Sequence, residues 1–195
     1  MPSRIALLQG HPDPAGGHFC HALERAYAQG AKAAGHELRQ FDLARIEFPL
    51  LRTRDQWESA PPPQGVQEVQ EAIAWAGHLV LFFPLWLGTM PALVKAFLEQ
   101  ALRPGFAIGT SGLDRRWVRL LGGRSARLVV TMGMPAFVYR WYFGSHGLKG
   151  LERNVLRFCG IGPIRETLIG NVEGMRAARR EQLLLTLRAL GQAGR

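Results

Sequence analysis

Cysteine and lysine are both scarce in this chain. Cys20 and Cys159 are the only cysteines in 195 residues, too few for a disulfide scaffold, and no C-x-x-C pair suggests a zinc site. The lysines are Lys32, Lys95 and Lys149 alone. No long basic run with interleaved aromatics marks a nucleic-acid face. A signal-peptide core is also lacking, because the apolar stretch after Met1-Pro2-Ser3-Arg4 covers only Ile5 to Leu8. The longest apolar tract, Leu79 to Val94, is interrupted by Pro84, Gly88 and Pro91. It falls short of the ~20 residues that a membrane span needs. Neither G-x-x-x-x-G-K-[ST] nor G-x-G-x-x-G occurs, which disfavours nucleoside triphosphate chemistry and a standard dinucleotide fingerprint. There is no internal repeat and no low-complexity segment. The expectation from these absences is a soluble, cytoplasmic, reduced protein with no membrane span and no nucleic-acid partner.

What is present can bury a core. Apolar residues make up 47% and charged residues 20% of the chain, the balance of a globular domain, and the length suits a single domain over 1–195. The net charge of +9 is unevenly placed. Residues 1–102 carry a net −2, whereas residues 103–195 carry a net +11. A basic half suits nucleic acid, a membrane surface or an anionic small molecule, and arginines scattered among apolar residues make a dedicated nucleic-acid site the minor reading.

The hydrophobic pattern alternates between strands and helices. Arg4 to Gln9 is a short apolar run bounded by a Gly/Pro cluster, as a buried strand of a parallel sheet would be. From His18 to Ala34, Phe19, Ala22, Leu23, Ala26 and Tyr27 recur at helical spacing until Gly35 stops them. His36 to Leu43 alternates as a more exposed strand. Pro61-Pro62-Pro63 marks a surface excursion, followed by a helix over Val66 to Ala76 and the most apolar strand, His78 to Phe83. Pro91 opens the next helix, which runs to Ala101. Gly109 to Gly123 reads as a loop with a short helix, and Ala126 to Thr131 as a strand. Met132 to Tyr142 is a long aromatic connection. A helix over Leu148 to Phe158, a strand over Pro163 to Ile169 and an amphipathic helix over Met175 to Leu190 complete the chain. Five strands alternating with helices predict an α/β, three-layer, doubly wound parallel sheet in the order 2-1-3-4-5.

In such sheets ligands bind outside the carboxyl ends of the strands, where three loops of unusual composition meet. Gly10 to Phe19 contains Gly16 and Gly17 before a helix N-terminus, which makes either a plain strand–helix turn or a seat for phosphate. Pro84-Leu85-Trp86-Leu87-Gly88-Thr89-Met90-Pro91 places large apolar side chains in a surface loop. They either receive a flat aromatic ligand or pack under a neighbouring loop or subunit. Thr131-Met132-Gly133-Met134-Pro135 leads into Phe137, Tyr139, Trp141, Tyr142 and Phe143, which either sandwich a planar substrate or form core and dimer surface. His146 follows in a glycine-flanked loop. Cys20 in a first helical turn reads as a packed or ligand-near thiol, Cys159 as core, and Asp13 as a turn residue. His21, His36 and His78 show no metal-ligand spacing, so no metal is expected.

Taken together, Gly10-His11-Pro12 with Gly17 to Leu23, Pro84-Leu85-Trp86 with Met90 to Lys95, Pro104-Gly105-Phe106-Ala107 and Thr131-Met132-Gly133 resemble the flavodoxin-like NAD(P)H:quinone oxidoreductases. The resemblance runs from Ile5 to about Gly170. It implies a flavodoxin-like fold and a tightly held flavin, FMN or FAD, with NAD(P)H as co-substrate. The phosphate would sit on the first loop near His11, Gly17, His18, Phe19 and Cys20. Pro84, Leu85, Trp86 and Leu87 would line the isoalloxazine, and Thr131, Met132 and Gly133 would meet its other edge. Hydride would pass from NAD(P)H to the flavin N5 and on to a quinone, in one pocket at a homodimer interface, with Tyr142 and His146 as proton donors. With no room for a separate nicotinamide domain in 195 residues, NAD(P)H would share the flavin pocket. The family also implies an alternative, a flavin-bearing electron carrier or regulatory subunit of a potassium-efflux system with little turnover of its own.

Three departures stand out. His18 and Cys20 occupy positions where the family usually offers serine and asparagine to the phosphate. Its usual tryptophan falls one position after Trp86, and its Thr-Gly-Gly is here Thr-Met-Gly.

Overall fold

The computed structural model describes residues 2–111 and 116–195. In chain order its elements begin with strand β1 (Arg4–Gln9), helix α1 (Phe19–Ala33) and strand β2 (Glu37–Asp42). The short helix α2 (Arg54–Glu58), helix α3 (Gln64–Trp75), strand β3 (His78–Pro84) and helix α4 (Ala92–Ala101) follow. Next come β4 (Ile108–Ser111), β5 (Arg116–Arg119) and β6 (Ser125–Thr131). Helices α5 (Ala136–Trp141) and α6 (His146–Gly150), strand β7 (Ile164–Ile169) and helix α7 (Ala177–Gln192) complete the chain.

The main sheet has five strands in the order β2-β1-β3-β6-β7, and every pairing in it is parallel. This is the expected doubly wound order once the two strands β4 and β5 are set aside. Those two form an antiparallel hairpin, with Ile108 opposite Arg119 and Thr110 opposite Trp117. The short helix expected between Gly109 and Gly123 is therefore corrected to a hairpin over its described residues; residues 112–115 lie outside the description. Ile108 and Thr110 on one strand and Trp117 and Val118 on the other favour extended pairing there. The aromatic connection after β6 contains α5, which Pro135 starts with its fixed φ of −60°. The helix predicted over Leu148 to Phe158 starts two residues earlier and widens to a π-helical turn over Leu151–Leu156.

Alternation along each strand builds the three layers. Ala6, Leu8, Leu81, Phe83, Leu128 and Val130 face α3, α4 and the 151–161 segment. Ile5, Leu7, Val80, Phe82 and Val129 face α1 and α7. β3 is buried at every position, as a central strand covered on both faces must be. Burying side chains such as Phe82 and Phe83 contributes roughly 1.5–3 kcal/mol each. The carboxyl ends of β1, β3 and β6 thus come together at one edge, with their three loops side by side.

Candidate functional site

Gly10 lets the first loop leave β1. Its amide donates to the Phe82 carbonyl at 2.7 Å, and a Cβ there would sit 2.6 Å from a Val94 methyl. Buried Gln9 then fastens the loop to α1. Its Oε1 accepts from the His11 amide at 3.1 Å, and its Nε2 donates to the Cys20 carbonyl at 3.4 Å. The loop closes through Asp13, which accepts from the Ala15 amide at 2.9 Å and meets His18 Nε2 at 2.7 Å. Gly16 and Gly17 have φ of +74° and +83°, the left-handed region that glycine enters without strain. His18 is the N-cap of α1 but makes no side-chain cap bond. The Phe19 and Cys20 amides, at the positive dipole end of α1, are thereby left open to an anion, while the His21 amide donates to the His18 carbonyl at 3.0 Å.

Three imidazoles gather at this point. His11 stacks on His18 with ring centroids 3.9 Å apart, and His21 lies 5.0 Å from His11. Both nitrogens of His21 are buried without a hydrogen-bond partner. Burial, followed by the charges of His18 and His21, lowers the His11 pKa to about 4, so its ring is neutral near pH 7. Its Nδ1 accepts from the Asp13 amide at 3.2 Å, which leaves the proton on Nε2, available to a ligand. Burial also lowers the His21 pKa. The hydrogen bond from His18 lowers that of Asp13. A cavity of about 460 Å³ opens beside the loop, lined by Gly16, Gly17, His21, Asp42 and Arg45 among others. Cys20 is buried and its thiol is pushed up to about 12 by burial, so it packs as a thiol and is no nucleophile.

The second loop is a tight turn. Trp86 and Thr89 exchange backbone hydrogen bonds at 2.9 and 3.0 Å, with Leu87 and Gly88 at its tip in left-handed conformation, φ +48° and +77°. Leu87 is fully exposed and Trp86 half so, and the His11 ring meets the Trp86 ring edge at 6.4 Å. First and second loops therefore share a border. Pro84, opposite Thr131, and Leu85, whose amide donates to the Thr131 carbonyl at 2.7 Å, tie this loop to the third.

In the third loop, Thr131 and Met132 are buried. Met132 uses its backbone within the fold, donating to Ile169 and accepting from Val172. Gly133 is the open position, with the Glu173 carboxylate 3.6 Å from where its Cβ would stand. Beyond it, Phe137, Trp141, Tyr142 and Phe143 form an exposed aromatic ridge. Tyr142 and His146, the expected proton donors, are both exposed, and the rings of Tyr142 and Phe143 meet edge to face at 4.9 Å. Tyr139 turns inward instead. Its hydroxyl donates to the Gly88 carbonyl and accepts from the Leu148 amide.

Of the predicted residues, His11 and His18 gather at the first loop beside Gly17, and Trp86 borders them. Cys20, Thr131 and Met132 are buried, Phe19 packs on the α1/α7 core, and Tyr142 and His146 are exposed on the segment after β6. Sequence reasoning missed Gln9, considered His21 only as a metal ligand, and left Tyr139 open between substrate sandwich and core, of which the structure shows core. His21 was detectable, since it lies one helical turn from His18 and so on the same face. Gln9 acts by crossing the first loop to the Cys20 carbonyl and Tyr139 by reaching the distant Gly88 carbonyl, contacts that helix or strand spacing does not encode. Among the described residues no group of three or more His, Cys, Asp or Glu could hold a metal ion. No helix among the described residues is long and apolar enough to cross a membrane.

The open α1 amides and the unpartnered His21 nitrogens fit a phosphate, and the apolar second loop beside them fits a flat ring system. The fold defines a doubly wound α/β protein, with the glycine loop and the imidazole cluster at the carboxyl end of β1. A family model described as flavodoxin-like fold matches residues 3–190; the chain belongs to that family. It is 25% identical over 178 residues to a Penicillium crustosum protein named ribosyldihydronicotinamide dehydrogenase-like protein traD. That match covers 78% of this chain and 64% of the fungal protein. The fold superposes on an NAD(P)H:quinone oxidoreductase from Methanothermobacter marburgensis with TM-score 0.79, at 21% identity over 98% of this chain and 96% of that one. A Bacillus anthracis FMN-dependent NADH-azoreductase, solved in complex with FMN, superposes with TM-score 0.72 at 14% identity over 98% of each chain.

Proposed function

We propose that this protein is a flavin-dependent oxidoreductase that uses NAD(P)H to reduce a quinone or similar acceptor, with FMN held at the carboxyl ends of β1, β3 and β6. The observation that carries this reading is the shared border of an anion seat and an exposed apolar loop, His11 against Trp86 at 6.4 Å. Flavin, when bound, supplies a centre that takes a hydride from NAD(P)H and yields it to the acceptor.

The chain's own residues supply the rest. The first-turn amides of α1, with His11, His18 and His21, hold the phosphate, and Gly16 and Gly17 give it close approach. Leu85, Trp86 and Leu87 exclude water from the ring. Gly133 leaves room at the opposite edge. Tyr142 and His146, both exposed on the segment after β6, would give a proton to a quinone oxygen. A second copy covering Phe137, Trp141, Tyr142 and Phe143 would close the cleft, and analytical ultracentrifugation tests for that dimer.

The function is tested by the visible spectrum of the purified protein and by NADH and NADPH oxidation with and without a quinone. A yellow protein with quinone-dependent turnover is expected. A colourless protein that neither FMN nor FAD reconstitutes overturns the proposal. A yellow protein without turnover favours a carrier or regulatory role.

A further inference from the structure

At the other end of the sheet lies a second group of buried polar side chains, unrelated to the flavin reading. The parallel register sets Val80 beside Arg127 and Arg127 beside Arg165. Arg127 and Arg165 are thus direct neighbours on the sheet face under α1 and α7. His78, two positions before Val80, and Thr167, two after Arg165, share that face. At about 3.3 Å per residue, Arg127 is some 13 Å from Thr131 and the loops beyond it.

Arg127 is 6% exposed. Its Nη1 donates to Thr167 Oγ1 at 2.8 Å, while its Nε has no partner. The Tyr27 hydroxyl and His78 Nε2 are likewise buried and unpartnered. The groups that act electrostatically on Arg127 are Tyr27, Arg165 and Arg195, and those on His78 include Arg127 and Arg165. None is a carboxylate. Glu166, the acid of β7, alternates to the opposite face and pairs with Arg140 at 3.5 Å.

A guanidinium does not deprotonate in proteins. Burying one beside two more cations, with no carboxylate side chain acting on it among the described residues, is a large penalty. Unsatisfied polar atoms on Arg127 and on Tyr27 and His78, the two groups coupled electrostatically to it, add to that penalty. One tetrahedral anion relieves all of these at once, and arginine's planar fork is the group suited to it. We propose that Arg127, Arg165 and Arg195, with the Tyr27 hydroxyl and His78 Nε2, form a binding site for a small oxyanion such as phosphate or sulfate. Arg165 and Arg195 are exposed and β7 is an edge strand, so the anion enters from that side. Once bound, it ties β6 and β7 to the end of α7. Part of the basic excess after residue 102 thereby gains a role apart from the cofactor cleft.

The test is the thermal midpoint of the full chain, saturated with FMN, in 0–20 mM sodium phosphate or sodium sulfate at ionic strength fixed with sodium chloride. The wild type should rise by about 3–6 °C over the chloride control. In Arg165→Gln, a change at an exposed position, the rise should vanish while the chloride baseline stays within about 2 °C. Arg127→Met should lose the rise too, with a chloride baseline at or above wild type because the unpaired charge is gone. If Arg127→Met does not fold, Arg165→Gln decides. His18→Ala should keep the rise. The proposal is overturned by a wild type that responds no more than to chloride, or by a response that survives Arg165→Gln. A response lost in His18→Ala but kept in Arg165→Gln also overturns it, because the anion then sits at the first loop.

Discussion

The buried hydroxyl of Tyr139 donates to the carbonyl of Gly88 at 3.0 Å, joining the helix after β6 to the tip of the loop after β3. The same oxygen accepts from the Leu148 amide at 3.2 Å. Gly147 beside it packs so closely on the Gly88 carbonyl that no Cβ could be inserted. Tyr139→Phe leaves a carbonyl and an amide without partners, which should destabilise the protein by about 1–3 kcal/mol. We expect a midpoint about 3–9 °C lower in thermal melts. Because the second loop loses its brace, flavin affinity should fall as well, read by quenching of flavin fluorescence. A variant with unchanged melting and unchanged affinity would show that the loop holds its shape unaided.

Two glycines set the crossing of α1 and α7. A Cβ on Gly30 would collide with the Arg188 carbonyl, and one on Gly191 with the Tyr27 carbonyl. Both obstacles are helix backbone, so neither can yield as a side chain would. Gly30→Ala and Gly191→Ala should each destabilise by about 3 kcal/mol or more, against the small gain that alanine usually brings to a helix interior. Urea unfolding of both variants checks the sign. Stabilisation of either would mean that the helices can separate at little cost.

That crossing shows what the sequence could and could not say. Hydrophobic periodicity announced α1, β3 and the parallel order because each depends on which face of an element is apolar. Gly30 and Gly191 gave no such signal, since a glycine inside a helix records a close approach only once the partner is known. The anion seat was legible in part. Gly16, Gly17 and His18 precede a helix, and that order alone implies open amides. The pairing of Gln9 with Cys20 spans the whole first loop, and that of Tyr139 with Gly88 joins segments far apart in the chain, so neither had a local signature. The hairpin of β4 and β5 was hidden for another reason. Its strands are only four residues each, too short for alternation to stand out from a loop.

Protonation of His78 should couple stability to pH. Burial, then the charges of Arg127 and Arg165, lowers its pKa to about 4 in the folded protein, against ~6.5 in an unfolded chain. Between those values the unfolded chain binds more protons, so stability rises with pH through that window. It is complete above about pH 6.5 and is lost as the pH falls toward 4, by roughly 3 kcal/mol for this group. In phosphate-free and sulfate-free buffer, His78→Gln should flatten the pH dependence of unfolding free energy across the window. An unaltered slope would assign the proton uptake elsewhere, His11 being the next candidate.

Trp86 borders both the imidazole cluster and the turn at Leu87. Trp86→Ala removes the ring that meets His11 edge-on at 6.4 Å and should weaken flavin retention about tenfold or more, as loss of a large apolar contact does. Retention is measured by gel filtration followed by absorbance of the released flavin. Full retention would show that the loop faces something other than the flavin.

Leu87 combines two unfavourable traits, a left-handed φ of +48° and a fully exposed apolar side chain. The conformation costs about 1 kcal/mol for a residue with a Cβ, and nothing in the folded chain offsets it by burial. Strain retained in an exposed loop points to work done on a ligand. Leu87→Gly relieves the strain but raises the entropy of the unfolded chain, so melting should stay level or rise by up to about 3 °C. Loss of the side chain should raise KM for the quinone about tenfold, the equivalent of burying one leucine. Leu87→Asn tolerates the same φ and removes the same apolar contact, so it should share the KM effect. If both variants melt as expected while KM and flavin affinity stay at wild-type values, the leucine contacts neither cofactor nor acceptor. The apolar tip of the turn would then be left to an interface between two copies of the chain.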